Sequence, residues 1–265
     1  MDLKEFFRQH PKAAIAFSGG VDSSYLLYAA LQCGADVRAY YVKGAFQPQF
    51  ELDDAQRLAR DIHAPMTVLR ADVLRDETVT ANPANRCYYC KKVVFSSIAQ
   101  AALADGYTLL LDGTNASDDA GDRPGMRALQ ELQVLSPLRL CGLTKPEIRR
   151  LSKEARLFTW DKPAYACLAT RIPTGEKITA EKLKAVYDAE KYLRGLGFSQ
   201  LRVRHHGDIA RIEVLPEDRK KFFDNGFMDK VNAGIKACGF RFAALDLGGY
   251  RMGNMNGDDK NGKHE

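Results

Sequence analysis

The chain of 265 residues carries a formal net charge of +5, with 28% charged and 45% hydrophobic residues. That is the balance of an ordinary folded protein, with room for one large domain or two modest ones. It excludes a collagen-like, disordered or membrane-spanning chain, since no run nears the roughly 20 apolar residues a membrane helix needs. The opening Met1-Asp2-Leu3-Lys4-Glu5-Phe6-Phe7 has acidic residues and lacks the apolar core of a secretory signal, so a cytoplasmic location is expected. The positive charge suits anionic ligands, but it is too small and too dispersed to call for nucleic acid. Six cysteines without an export signal read as thiols or metal ligands rather than a disulfide framework. Cys33, Cys141 and Cys238 sit among apolar neighbours and read as small buried hydrophobes. Cys87, Cys90 and Cys167 do not.

Ala13 to Phe17 is an apolar run of strand length. It meets Ser18-Gly19-Gly20 and becomes Val21-Asp22-Ser23-Ser24-Tyr25-Leu26-Leu27-Tyr28, apolar at helical spacing. The reading is strand, glycine turn, helix. Such a turn aims unpaired backbone N–H groups at one point before a helix N-terminus, where the dipole favours an anion. Ser18, Ser23 and Ser24 add hydroxyl donors, and Asp22 is the carboxylate a Mg-ATP site would want near the phosphates. The nucleoside triphosphatase pattern Gly-Lys-Ser/Thr is absent. Asp36 to Val42 predicts a second strand, Glu51 to Ile62 a helix, and Pro65 to Leu69 a third strand. This alternation predicts βαβ units and a parallel sheet with ligands at the carboxyl ends of the strands.

Asp76 to Asn85 reads as a loop, and a long helix follows from Arg86 through Ala104, so Cys87 and Cys90 open it. Dipole and nearby cations there favour thiolate, the metal-binding form. Tyr107 to Asp112 predicts a fourth strand, running into the polar loop Gly113-Thr114-Asn115-Ala116-Ser117-Asp118-Asp119. Val134 to Leu138 predicts a fifth. Thr144-Lys145-Pro146-Glu147 has the form of a capping box and predicts a helix through Glu154. The proline-rich stretch Trp160 to Gly175 reads as a loop, with a domain boundary just beyond it.

The remainder changes rhythm. Thr179 to Leu196 predicts a helix, and Gln200 to His205 with Ile209 to Val214 a hairpin with one solvated face. Two short helical stretches, Asp218 to Phe223 and Phe227 to Cys238, precede a last strand, Arg241 to Leu247. The expected organisation is residues 1–175, residues 176–255 as a small α+β domain, and a disordered polar tail at 256–265.

Two constellations carry chemistry. Cys87-x-x-Cys90 offers two thiolates one helical turn apart, and Cys167 from a distant loop could complete a triangle. Unrelated thiols, a structural zinc site and a redox pair compete with that reading. On the hairpin, Arg202 and Arg204 share one face at period two and would suit a phosphate monoester. A solvated face pairing with Glu213 is the competing reading, and Glu190 on the preceding helix is a weaker candidate for the border of the site.

The heptapeptide Ser18 to Ser24 after an N-terminal strand resembles the pyrophosphate loop of the N-type ATP pyrophosphatases. Three further segments extend the resemblance: Gly113-Thr114-Asn115, Pro163-x-x-x-Cys167-Leu168-Ala169-Thr170-Arg171-Ile172-Pro173, and Gly248-Gly249-Tyr250-Arg251-Met252-Gly253. Together they resemble the LarE-type sulfur transferases over nearly the whole chain. The resemblance implies an α/β fold with a doubly wound parallel sheet, adenine nucleotide alpha hydrolase-like, and a smaller C-terminal domain. It implies ATP and Mg2+ held by Ser18, Gly19, Gly20, Asp22, Ser23 and Ser24, with Gly113 and Asn115 closing over the nucleotide and Val42 beside the adenine. The implied reaction adenylates the carboxylates of pyridinium-3,5-biscarboxylic acid mononucleotide and converts them to thiocarboxylates, with Asp22, Cys167 and Arg171 in catalytic roles. Arg202 and Arg204 would take the substrate phosphate.

In members with only the loop cysteine, that residue is sacrificed and becomes dehydroalanine. In members with all three, Cys87, Cys90 and Cys167 would hold a 4Fe-4S cluster with one open iron, and this is the expectation here. A small-molecule substrate, no membrane and a homo-oligomer are expected. A tRNA thiolase, an ammonia-using synthase of the same fold, and a non-catalytic ATP-binding or iron–sulfur module are the alternatives.

Overall fold

A computed structural model describes residues 1–118 and 124–250. Asp119, Arg251 to Gly253 and the expected tail at 256–265 lie outside the described residues. The chain divides into two compact units, Met1–Tyr165 and a second from Ala166 onward, so Cys167 belongs to the second.

In the first unit, α1 (Leu3–Gln9) precedes β1 (Lys12–Ala16), α2 (Val21–Gln32), β2 (Asp36–Lys43), α3 (Gln49–Asp61) and β3 (Met66–Arg70). Then come α4 (Glu77–Thr80), α5 (Arg86–Ala104), β4 (Leu110–Leu111), α6 (Pro124–Glu131), α7 (Pro137–Leu140) and α8 (Lys145–Glu154). The four strands form a sheet in the order β3-β2-β1-β4, and every pairing is parallel. Alternation along the strands feeds two cores. Ala13, Ile15, Val37, Ala39 and Tyr41 pack with Leu26, Leu27, Leu58 and Ile148 on one face. Ala14, Tyr40, Val42 and Leu110 pack with Phe95, Ile98, Ala102 and Leu129 on the other. Helices therefore cover both faces, which is the doubly wound α/β architecture the sequence predicts.

The strand order makes the site. β1 leads to β2 on one side, while β4 flanks β1 on the other, so the crevice at the carboxyl ends of β1 and β4 is a topological switch point. The glycine turn after β1 and the polar loop after β4 both open there.

Several expectations are corrected. Val134 to Leu138 forms no strand: a single bridge joins Leu135 to Leu111, and Pro137, which lacks an N–H, then opens α7. The fourth strand is shorter than expected, although Ala14 N still donates to Leu109 O. Asp76 caps the short helix α4 inside the expected loop. The expected loop from Trp160 begins inside a tight 3-10 turn, Phe158–Asp161, and holds a second, Leu168–Arg171. Cys33 is exposed and Cys141 and Cys238 are half-buried, so none is a core residue. The capping box at Thr144 is formed, with Thr144 N donating to Glu147 at 2.9 Å.

The second unit contains α9 (Ala180–Gly195), capped by Thr179, then β5 (Leu201–His206), β6 (Ile209–Val214), α10 (Asn225–Ala237) and β7 (Phe242–Leu245). β5 and β6 are an antiparallel hairpin, and β7 adds parallel to β6. The expected solvated face of β5 is absent: Leu201 to His205 are all buried, so both faces are covered. The rings of Phe198, Phe222 and Phe227 meet at centroid distances of 5.4–6.0 Å and anchor the helical side. No helix among the described residues is long and apolar enough to cross a membrane.

Candidate active site

The glycine turn is built for close approach. Gly19 has φ +70°, and a Cβ there would stand 2.9 Å from the Cβ of Ala55 on α3. The turn closes on its own hydroxyls: Ser18 N donates to Ser23 Oγ at 3.3 Å, and Gly20 N to Ser18 Oγ at 3.3 Å. Gly20 starts α2 without a side-chain cap, which leaves the first-turn N–H groups for an anion. Ser24 Oγ is fully buried and has no hydrogen-bond partner among the described residues. Lys162, pairing with Asp54 at 2.7 Å, donates to Gly19 O at 3.3 Å and braces the turn from outside.

The loop after β4 is pressed against this turn. A Cβ on Gly113 would lie 2.8 Å from Ser23 N, so only glycine lets the two backbones meet. Asp112, buried at the strand end, accepts from Thr114 N at 3.2 Å and from Ser136 Oγ at 2.6 Å. Asn115 N donates to Asp118 Oδ2 at 2.9 Å, and Arg139 donates to the carbonyls of Asn115 and Asp118. Asn115 Nδ2 reaches Asp22 Oδ1 at 3.4 Å. Lys145, first residue of α8, donates from its backbone to Ser117 Oγ at 2.9 Å and from its ammonium to Asp22 Oδ2 at 2.5 Å.

The structure thus brings Ser18, Gly19, Gly20, Asp22, Ser23, Ser24, Gly113 and Asn115 together around one helix N-terminus. Burial raises the Asp22 carboxyl above its usual range; the Lys145 hydrogen bond and charge pull the other way, and Asp118 adds to the rise. A carboxylate that burial makes costly to ionise is suited to a divalent cation, which would supply the missing positive charge. Val42 is buried in the sheet core near the end of β2. The sequence reading missed Lys145, Arg139 and Lys162. Lys145 was legible only as part of a helix start, because nothing in its neighbours says what its ammonium faces.

Cys87 lies in the first turn of α5 and Cys90 one turn on, the former exposed and the latter half-buried. Arg86, buried and held by Asn82 Oδ1 at 2.6 Å, has Nη2 at 3.8 Å from Cys87 Sγ. Burial lowers the ammonium pKa of Lys91 on the same helix, against the opposing attraction of Asp112, Cys87, Asp118 and Cys90. Lys91 therefore lies within electrostatic range of both the cysteine pair and the loop carboxylates, a further residue the sequence reading missed. As a pair, the two thiols fit one edge of a metal centre, being one turn apart at a helix N-terminus beside cations. Among the described residues, no group of three or more His, Cys, Asp or Glu is assembled to hold a metal ion.

In the second unit, Cys167 precedes the 3-10 turn Leu168–Arg171 and is half-buried. Arg171 is fully buried against the fully buried Glu190, Nε to Oε1 at 2.7 Å. Its Nη1 donates to Ala166 O at 2.7 Å and Cys167 O at 3.2 Å. Arg204 gives its fork to Glu213, at 3.0 Å from Nε and 2.9 Å from Nη2. Arg202 donates to Leu201 O at 2.7 Å and lies over the ring of Tyr250, 4.9 Å from its centroid. The pairing with Glu213, considered above as the competing reading, is the observed one for Arg204, although the face is buried rather than solvated.

No protein-family model matches the chain. The chain is 38% identical over 247 residues to a pyridinium-3,5-bisthiocarboxylic acid mononucleotide synthase of Lactiplantibacillus plantarum, spanning 92% of this chain and 89% of that one. It is 38% identical over 257 residues to an uncharacterized protein of Synechocystis, covering 96% of both. A tRNA-specific 2-thiouridylase of Fervidobacterium nodosum matches at 25% identity over 126 residues, 38% of this chain and 36% of that one. A match of this depth over nearly the whole length, together with a glycine turn at a parallel-sheet switch point, places the chain in a family: it belongs to the LarE-type sulfur transferases.

Proposed function

We propose that this chain is an ATP-dependent sulfur transferase that converts the carboxylates of pyridinium-3,5-biscarboxylic acid mononucleotide to thiocarboxylates, forming AMP and pyrophosphate, in nickel-pincer nucleotide cofactor synthesis. The observation that carries the reading is the meeting of the Gly19 turn and the Gly113 loop at the N-terminus of α2, with Asp22 between Lys145 and Asn115. The name of the relative from Lactiplantibacillus plantarum supplies the substrate class.

A carboxylate is a poor electrophile, since its leaving group would be oxide. In the first half-reaction a carboxylate oxygen bonds to the α-phosphorus of ATP, the bond to the β-phosphate oxygen breaks, and pyrophosphate leaves. The first-turn N–H groups of α2, with Ser18, Ser23 and Ser24, hold the phosphates. Asp22 would hold a Mg2+ ion, which would supply positive charge beside the phosphates, and the Lys145 ammonium, released from Asp22, neutralises the charge that develops on pyrophosphate. In the second half-reaction sulfur bonds to the acyl carbon and AMP leaves with its oxygen.

Cys87, Cys90 and Cys167 are proposed to hold a 4Fe-4S cluster. When bound, that group supplies an open iron able to carry a hydrosulfide. The alternative reading makes Cys167 itself the sulfur donor. In that reading its own Cβ–S bond breaks as the Cα proton leaves, giving dehydroalanine, and each chain acts once per sulfur. For the substrate phosphate, Arg202 is proposed. Arg204 gives its fork to Glu213, so a phosphate there would displace a buried carboxylate.

The deciding experiment incubates the purified chain with ATP, Mg2+ and the biscarboxylate nucleotide, with and without added sulfide, measuring pyrophosphate and the oxygen-to-sulfur mass change of the nucleotide. Pyrophosphate that depends on this substrate, with a thiocarboxylate product, supports the reading. Sulfur appearing in tRNA instead would move the chain to the thiolases.

A further inference from the structure

Two buried ion pairs of the second unit end on the same four-residue turn. Arg171 and Glu190 are both fully buried, and the guanidinium that binds Glu190 also donates from Nη1 to Ala166 O at 2.7 Å, Cys167 O at 3.2 Å and Thr170 Oγ1 at 2.9 Å. Thr170 Oγ1 in turn donates to Cys167 O at 2.9 Å. Arg204, whose Nε and Nη2 hold the fully buried Glu213, sends Nη1 to Thr170 O at 2.9 Å. Glu190 is itself fixed by Arg194 at 3.1 Å and by the Val203 amide at 3.2 Å, which ties the turn to α9 and β5.

Burying two carboxylates and two guanidiniums is costly, and well-packed apolar residues would serve stability as well or better. What the charges provide is geometry. A guanidinium has donors in a fixed plane, so one anchored by a carboxylate can hold a carbonyl in a set direction.

We propose that Arg171–Glu190 and Arg204–Glu213 form one cradle that positions the Cys167 turn for sulfur transfer. Arg171 and Arg204 are then positioning residues acting through backbone carbonyls, with no contact to substrate required of either. The inference rests on the proposed role of Cys167 in moving sulfur.

Two double variants of the full chain test it: Arg171→Met with Glu190→Gln, and Arg204→Met with Glu213→Gln. Each removes both fully buried partners together; Arg194, which also pairs with Glu190, and Arg211, which also pairs with Glu213 and keeps Asp246, are partly exposed, and the Glu190→Gln side chain keeps an acceptor for the Val203 amide. In folded protein with a wild-type circular dichroism spectrum, the thiocarboxylate formed per pyrophosphate released should fall about 100-fold, as misplacement of a reacting group by about 1 Å can do. Alkylation of Cys167 by N-ethylmaleimide, read by peptide mass spectrometry against Cys87 in the same sample, should rise about tenfold as the turn loosens. A purely structural role would lower both half-reactions together. Unchanged thiocarboxylate formation and unchanged Cys167 alkylation in the folded variants would overturn the cradle. Absence of pyrophosphate release in the wild type would overturn the proposed function instead, and the alkylation comparison alone would then decide the cradle.

Discussion

Lys145 Nζ lies 2.5 Å from Asp22 Oδ2, joining residues 123 positions apart at the facing N-termini of α8 and α2. The pair makes Asp22 a carboxylate with a resident cation, which the proposed metal-bound nucleotide would have to rearrange. Lys145→Met should therefore weaken the pyrophosphate-forming step by about 10²–10³-fold, the range seen when a charge-stabilising donor is lost. Substrate-dependent pyrophosphate release measures it, and a variant with wild-type turnover would remove Lys145 from the chemistry.

Asp22 also links stability to pH. Burial holds its carboxyl above the usual value despite Lys145, so the folded chain binds this proton more tightly than the unfolded chain. Stability from this group therefore falls as pH rises from the unfolded pKa through the folded one, and above both the ionised form is a net cost to the fold. Asp22→Asn should abolish adenylation yet raise the thermal midpoint at pH 7, and the gain should vanish below the carboxylate range. A lower midpoint at pH 7 would mean that the attraction of Lys145 outweighs burial.

Gly113→Ala places a Cβ 2.8 Å from Ser23 N, where only backbone movement can relieve the clash. Either the loop or the glycine turn must shift. ATP affinity measured by calorimetry should drop at least about tenfold, a cost of about 1.4 kcal/mol. Unchanged affinity would mean that the two backbones separate when nucleotide binds.

The cysteines separate the two sulfur routes. Protein purified without oxygen should contain about four iron and four sulfide per chain, lost in Cys87→Ser, Cys90→Ser or Cys167→Ser. Iron-free protein whose Cys167 loses mass as product forms would establish the sacrificial route instead.

Much of the first unit was legible because parallel strands buried on both faces read as apolar runs and their helices as periodic ones. Asp36 to Val42 and the helix from Arg86 show this. Val134 to Leu138 has the same apolar look, but Pro137 cannot donate to a ladder, and a local signal overrode the run. The motif glycines were legible from their order. Lys145, Arg139 and Lys162 were not, because a basic side chain has the same local sequence whether it faces water or a partner far along the chain. Alternation along Leu201 to His205 gave the strand but misjudged its faces, since period two cannot distinguish solvent from a buried carboxylate such as Glu213.

The close approach of Gly19 to Ala55 enlarges what counts as the signature of this glycine turn. Written as letters, the signature ends at Ser24; written in space, it includes the smallness of a residue on α3 that no linear pattern would mention. A chain that kept every letter of the heptapeptide but carried a bulky side chain at position 55 would display the spelling of the loop without its shape.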